Sequence, residues 1–151
     1  MLRDFLISAL KRHLEETRPL FDLISDQELT KNPIRDGRPL GEILLHMLRS
    51  IDYYLKGLTK NEWAPLPYTL EVYSTVEAVK KLACDVFERA CDYIDELGDR
   101  ELEKPTTSFN RPATGADILL ELIEHSIHHR GQVTTYFRLL GIKGFQIPYI
   151  I

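Results

Sequence analysis

Three histidines fall within five positions in the run Glu121-Leu-Ile-Glu-His125-Ser-Ile-His128-His129-Arg130-Gly131-Gln132. If the run is helical, residues four apart stack on one face, so His125 and His129 project together. At about 100° per residue, Ile118, Leu122, Val133, Tyr136 and Leu140 set the centre of the apolar face. His125 and His129 lie inside that arc, and His128 lies about 100° to one side of His129. Two adjacent imidazoles turned toward a core must each satisfy two ring nitrogens, and neither can hold a charge there without a partner. A shared divalent transition metal meets that requirement: each ring gives one nitrogen to the ion and the other to a neighbouring acceptor. The spacing therefore predicts a metal centre on His125 and His129.

A metal held inside a helical bundle needs a further ligand from a facing helix. His46 and His13 are the candidates, each at the flank of the apolar face of its own segment, and spacing leaves both open. Glu121, one turn before His125, is a candidate fourth ligand and the one candidate general base. Gln132 lies on the same side as His125 and is a candidate to touch a ligand or a water. Three neutral imidazoles suit Zn, Ni, Fe or Mn, and spacing does not choose among them. Arg130 projects away from the metal face, toward a neighbour or a partner subunit. Gly131, inside a helix at a cost of about 1 kcal/mol relative to Ala, is expected to admit another backbone.

These residues need elements to hold them, and four segments carry helical periodicity while none alternates as a strand does. The first covers residues 3–24, with Leu6, Leu10, Leu14, Thr17, Phe21 and Ile24 as its stripe and Pro19 as a kink or early stop. The second covers 39–58, opened by Pro39, with Asp52 on its wet face. The third covers 75–97, with Ser74 and Glu77 as a capping box and Gly98 as the stop. The fourth covers 115–140, with Thr114 as N-cap, Asp117 in the first turn and Gly141 at the end. The expected fold is all-α, a four-helix bundle forming one domain over residues 1–151. Its connections are long, with short extra turns at Asp26–Leu29 and Asp99–Leu102. The aromatic loop 59–73 is expected to cover the bundle. The apolar tail from Ile142 to Ile151 must be buried somewhere, on the bundle or on a second subunit.

Composition narrows the function. The chain has 151 residues and a net charge of −4, which argues against a nucleic-acid partner, since phosphates call for a basic face. No segment reads as a signal peptide or a membrane span, so the expected location is the cytoplasm and no membrane partner is expected. Cys84 and Cys91 lie about 10 Å apart along a helix, too far for a disulfide, and are expected to be buried free thiols.

The His125-x-x-x-His129-Arg130-Gly131-Gln132 run, followed by Tyr136-Phe-Arg-Leu-Leu-Gly141, resembles the last helix of the DinB-like (YfiT-like) metal-binding bundles. Gly41-Glu-Ile-Leu-Leu-His46 resembles that family's second helix, which carries the remaining metal histidine. The resemblance spans nearly the whole chain. It implies a three-histidine site of His46, His125 and His129, and so selects His46 over His13. It also implies a homodimer, and its members include transferases that use low-molecular-weight thiols. An open three-histidine site leaves a position for a thiol or a water. Activating the first gives a metal-dependent thiol S-transferase, and activating the second gives a hydrolase. The alternative is a non-enzymatic metal-binding or stress-related dimeric bundle, with the fourth position closed by Glu121.

Overall fold

Apolar residues recur at helical spacing in four long stretches of the sequence, and in the computed structural model each stretch is a helix. The structure describes residues 1–108 and 110–146. α1 (Leu2–Thr17) is followed by a 3₁₀ turn over Arg18–Leu23 and the short α2 (Asp26–Leu29). α3 (Leu40–Lys60) and α4 (Val76–Glu96) come next, then the short α5 (Asp99–Glu103). A hairpin of β1 (Pro105–Ser108) and β2 (Arg111–Thr114) leads into the long α6 (Gly115–Leu140). α6 packs against α1 and α3, and α3 packs against α4, which closes on the 3₁₀ turn. Phe21 meets Phe87 edge-on across that last contact.

The expected stripe of the first segment is buried throughout, from Leu6 to Ile24, although the α-helix itself ends at Thr17. Pro19 falls early in the 3₁₀ turn, where its missing N–H costs least. α6 begins and ends as its sequence predicts. Thr114 and Asp117 bond each other's backbone N–H, and Gly141 closes the helix at φ 75°. α4 departs at both ends: Thr75, not Ser74, caps it by accepting from the Ala78 N–H, and there is no reciprocal bond from Glu77. Gly98 is extended and serves as N-cap of α5, so it starts a helix instead of ending one.

Two buried-or-exposed expectations are reversed. Asp52, placed on the wet face of its helix, is buried and held by Arg89 of α4 at 2.6 Å and by the Tyr68 hydroxyl at 2.6 Å. Cys84 and Cys91, expected inside, are both exposed, because Val79, Leu82, Val86 and Ala90 occupy the inward phase of α4. The hairpin is the one element the sequence reading omitted. Its strands of four residues each carry a proline and bury little more than Ser108.

The aromatic connection does cover the bundle. A Cβ on Gly57 would run into the Trp63 ring, so that glycine lets the indole lie on α3. Glu42 of α3 accepts from the Leu70 N–H at 2.8 Å and fastens the same loop further along. Of the tail, Ile142 is buried and Phe145 packs on Phe137, while residues 147–151 lie outside the described residues. No helix among the described residues is long and apolar enough to cross a membrane.

A candidate metal centre between two helices

The pairing of α3 with α6 brings His46 to His125 and His129. One ring nitrogen from each lies within 4.8 Å of the others, and all three side chains are partly buried. The Nε2 atoms of His46 and His125 are 2.9 Å apart. The His46 ring centroid is 4.8 Å from that of His125 and 4.7 Å from that of His129. The wheel placed the α6 pair correctly, because the i, i+4 rings stack 4.3 Å apart toward α3.

Burial is the first cause acting on all three rings. It holds the pKa of His46 and of His125 down to about 4, with the neighbouring histidines adding to the effect. His129 is lowered as well, first by burial, although its bond to Gln132 works the other way. All three are therefore neutral at pH 7, the protonation state a metal ligand requires.

The outer contacts of the rings differ. Gln132 Oε1 accepts from His129 Nδ1 at 2.6 Å, which leaves the Nε2 lone pair of that ring available. Gln132 thus serves His129, not His125. Its amide nitrogen reaches His128 Nε2 at 3.1 Å, and His128 itself stays exposed, as expected. Arg49 reaches His46 Nδ1 at 2.9 Å, and since a guanidinium only donates, that nitrogen accepts. Neutral His46 then carries its proton on Nε2, directed at His125 Nε2, which puts the His125 proton on Nδ1. His125 Nδ1 is the one buried side-chain nitrogen or oxygen among the described residues with no hydrogen-bond partner.

The residues fit a divalent transition metal. Three ring nitrogens within 4.8 Å of one another are the imidazole donors that zinc and its neighbours take. The donor set is neutral and partly buried, with no carboxylate among it. Uptake requires His46 to move its proton from Nε2 to Nδ1 and release Arg49.

His13 does not join the cluster. It is buried against Arg130, whose Nη1 lies 3.2 Å from His13 Nδ1 and 2.8 Å from Glu16. Arg130 therefore does turn away from the histidine cluster, but it is buried in a pair with α1 of its own chain. Glu121 is also held elsewhere. Ser108 Oγ lies 2.6 Å from one of its oxygens and 2.8 Å from the other, and Arg111 lies 3.7 Å away. Its carboxylate is not among the groups gathered with the three histidines. Gly131 gives a further surprise. An added Cβ would meet nothing within 4 Å, so no backbone of the described residues approaches it.

A cleft of about 750 Å³ opens beside the cluster, lined by His46, His129, Arg38, Gly131 and Tyr136 among others. Arg38 was missed by sequence reasoning. Its signal was weak: a lone arginine before the Pro39 that opens α3.

Together these features define a four-helix bundle with an inward-facing three-histidine cluster. The chain belongs to the DinB family, whose sequence profile matches residues 3–150. It is 24% identical over 139 residues to the uncharacterised protein YjoA of Bacillus subtilis, covering 90% of this chain and 89% of that one. The crystal structure of the DinB-like YjoA superposes with a TM-score of 0.78 at 22% identity, over 94% of this chain and 95% of that one. YfiT from Bacillus subtilis superposes with a TM-score of 0.65 at 18% identity, over 93% of this chain and 89% of that one. YfiT is described as a probable metal-dependent hydrolase with an unusual four-helix bundle topology.

Proposed function

We infer that His46, His125 and His129 hold a divalent transition metal and that the chain is a metal-dependent enzyme, a thiol S-transferase or a hydrolase. The observation that carries this reading is three neutral, partly buried imidazoles with ring nitrogens within 4.8 Å of one another and no carboxylate among them. Zn, Ni, Fe and Mn all suit such donors. Bound there, the metal supplies Lewis acidity that activates a thiol or a water near neutral pH. The remaining roles belong to the chain. Gln132 orients His129, burial keeps the rings unprotonated, and the cleft admits a small molecule to the exposed side of the cluster. With Glu121 held by Ser108, an open fourth position fits better than a closed storage site. A homodimer follows from the family resemblance, and exposed Leu120, Ile127 and Leu139 on α6 support it.

The test begins with elemental analysis of protein purified without a polyhistidine tag. Metal-depleted and reloaded protein is then assayed with low-molecular-weight thiols plus electrophiles, and separately with hydrolysable esters and amides. The reading expects about one metal per chain and turnover restored by reloading. Metal present without turnover across both panels returns the chain to the non-enzymatic alternative, and light scattering at the monomer mass removes the dimer.

A further inference from the structure

The cleft beside the histidines carries an unassigned charge. Arg38 lines it together with Ile34, Ile43 and Tyr136, and none of the residues lining it is acidic. No carboxylate among the described residues pairs with the Arg38 guanidinium, whereas Arg89, Arg111 and Arg130 each have an acidic partner. Its charge reaches the cluster, contributing to the lowered pKa of both His46 and His129.

The backbone that presents Arg38 is fixed. The Tyr136 hydroxyl, two turns beyond His129 on α6, donates to the Arg38 carbonyl at 3.0 Å. The Asn32 amide donates to the Gly37 carbonyl at 2.7 Å and braces the turn before it. A Cβ on Gly37 would lie 2.7 Å from the Tyr136 hydroxyl, so a glycine is needed for that clamp to close. Pro39 confines Arg38 to extended backbone. The same helix that carries two of the histidines thus fixes the Arg38 backbone relative to the cluster, and the exposed side chain reaches the cleft from there. Gly131 contributes the opposite property: it lines the cleft and leaves open the space a side chain would fill.

We propose that Arg38 anchors the carboxylate of the substrate, so that the site takes small carboxylate-bearing molecules whose reactive group reaches the histidines. This rests on the metal-dependent reading above. A planar guanidinium matches the two oxygens of a carboxylate with two parallel bonds. Arg38 is the single Lys or Arg of the lining, and its one positive charge matches the single negative charge of a carboxylate.

The full chain is tested with a paired series: 3-mercaptopropionate, 4-mercaptobutyrate and 6-mercaptohexanoate against the mercapto-alcohols of equal length. Binding is read by ligand-observed NMR on metal-free protein and by the thiolate absorption band on cobalt(II)-loaded protein. At least one acid is expected to bind about tenfold more tightly than its alcohol in both forms, on the strength of a charge-assisted bidentate contact. Arg38→Gln is expected to abolish that preference and leave the alcohol unchanged. Gly131→Leu should weaken acid and alcohol alike with helicity and cobalt stoichiometry retained. Equal affinities across the series overturn the anchor, as does a preference that survives Arg38→Gln, which would mean that the carboxylate binds the cobalt directly. Inorganic phosphate displacing the acids better than propionate overturns the assignment to carboxylates. Failure to take up cobalt with an Arg38-dependent preference intact removes the metal and keeps the anchor. A cobalt band with no acid preference does the reverse.

Discussion

α6 carries buried polar groups on two of its sides, and the two sides are built on different terms. Toward α1, Arg130 meets His13 and Glu16, so a cation, a carboxylate and an imidazole answer one another. Toward α3, His125 and His129 meet a third histidine and the neutral Ser50 and Tyr54, with no carboxylate, and His125 Nδ1 is left without a bond. The His13 pKa is lowered by burial and by Arg130, and Glu16 opposes that shift. At His46 and His125 no carboxylate opposes the shift, and both reach about 4. The first grouping is complete within the chain and belongs to the fold. The second gathers three neutral imidazoles with no carboxylate among them, and that marks it as the candidate functional side.

The contrast is tested most strongly through Arg130. Arg130→Ala takes the buried cation away from the partly buried Glu16, and breaking a buried pair from one side costs up to about 3–5 kcal/mol. Urea unfolding should show a loss of that size while the folded fraction keeps its metal stoichiometry. Loss of metal with unchanged stability would erase the division between the two sides. A triple change to apolar residues, His13→Leu with Glu16→Leu and Arg130→Met, should recover most of the stability, since a well-packed apolar replacement is often neutral or better.

On the other side the effects reverse. His125→Ala or His129→Ala should weaken metal binding by about 3 kcal/mol, roughly one ligand's share of the binding energy of a structural zinc site. Stability of the metal-free protein should hold or rise in His125→Ala, where an unsatisfied nitrogen is removed, and fall slightly in His129→Ala, which gives up the bond to Gln132. Competition with a chromogenic chelator measures the first quantity, and thermal unfolding of the stripped protein measures the second.

Gln132→Leu is a smaller perturbation. Outer partners of ligating histidines are typically worth about 10–100-fold in metal affinity, and chelator competition should place the variant in that interval. His128→Ala, which removes only the exposed neighbour of Gln132, should change affinity far less. The reverse ranking would mean that His128 is the ligand.

Acid provides the gentlest probe. The folded pKa of His46 and of His125 lies below the ordinary histidine value, so the unfolded chain binds more protons in the interval between them. The stability of metal-free protein should therefore be full above about pH 6.5, the unfolded value, and decline as pH falls toward about 4. A double variant, His46→Gln with His125→Gln, should flatten melting temperature against pH over that range. An equal slope in the variant would move the effect elsewhere in the molecule.

The sequence showed most of this fold because its long helices bury one stripe each, and periodicity records that directly. The i, i+4 histidines were legible for the same reason. What lay beyond periodicity was read less well. The wheel could not choose His46 over His13, since both sit at a flank, and the choice depends on which helix faces which side of α6. Asp52 was placed in water because a helix wheel does not register a Tyr68 hydroxyl and an Arg89 guanidinium arriving from elsewhere. Cys84 and Cys91 were placed inside on residue type, where the phase of α4 pointed out. The hairpin escaped because four-residue strands with prolines at positions 105 and 112 carry too few alternations to count.

The two-sided loading of α6 also bears on how this helix can change. Its 26 residues span about 39 Å, and along that span its angular phase is locked at both flanks at once. Removing one residue between His125 and His129 would turn everything beyond by about 100°. Arg130 would leave Glu16, and Tyr136 would let go of the Arg38 carbonyl in the same stroke. Substitutions act on one side of the helix at a time, but a change of length acts on all of them. The middle of α6 is therefore a part of the chain where insertions and deletions have little room.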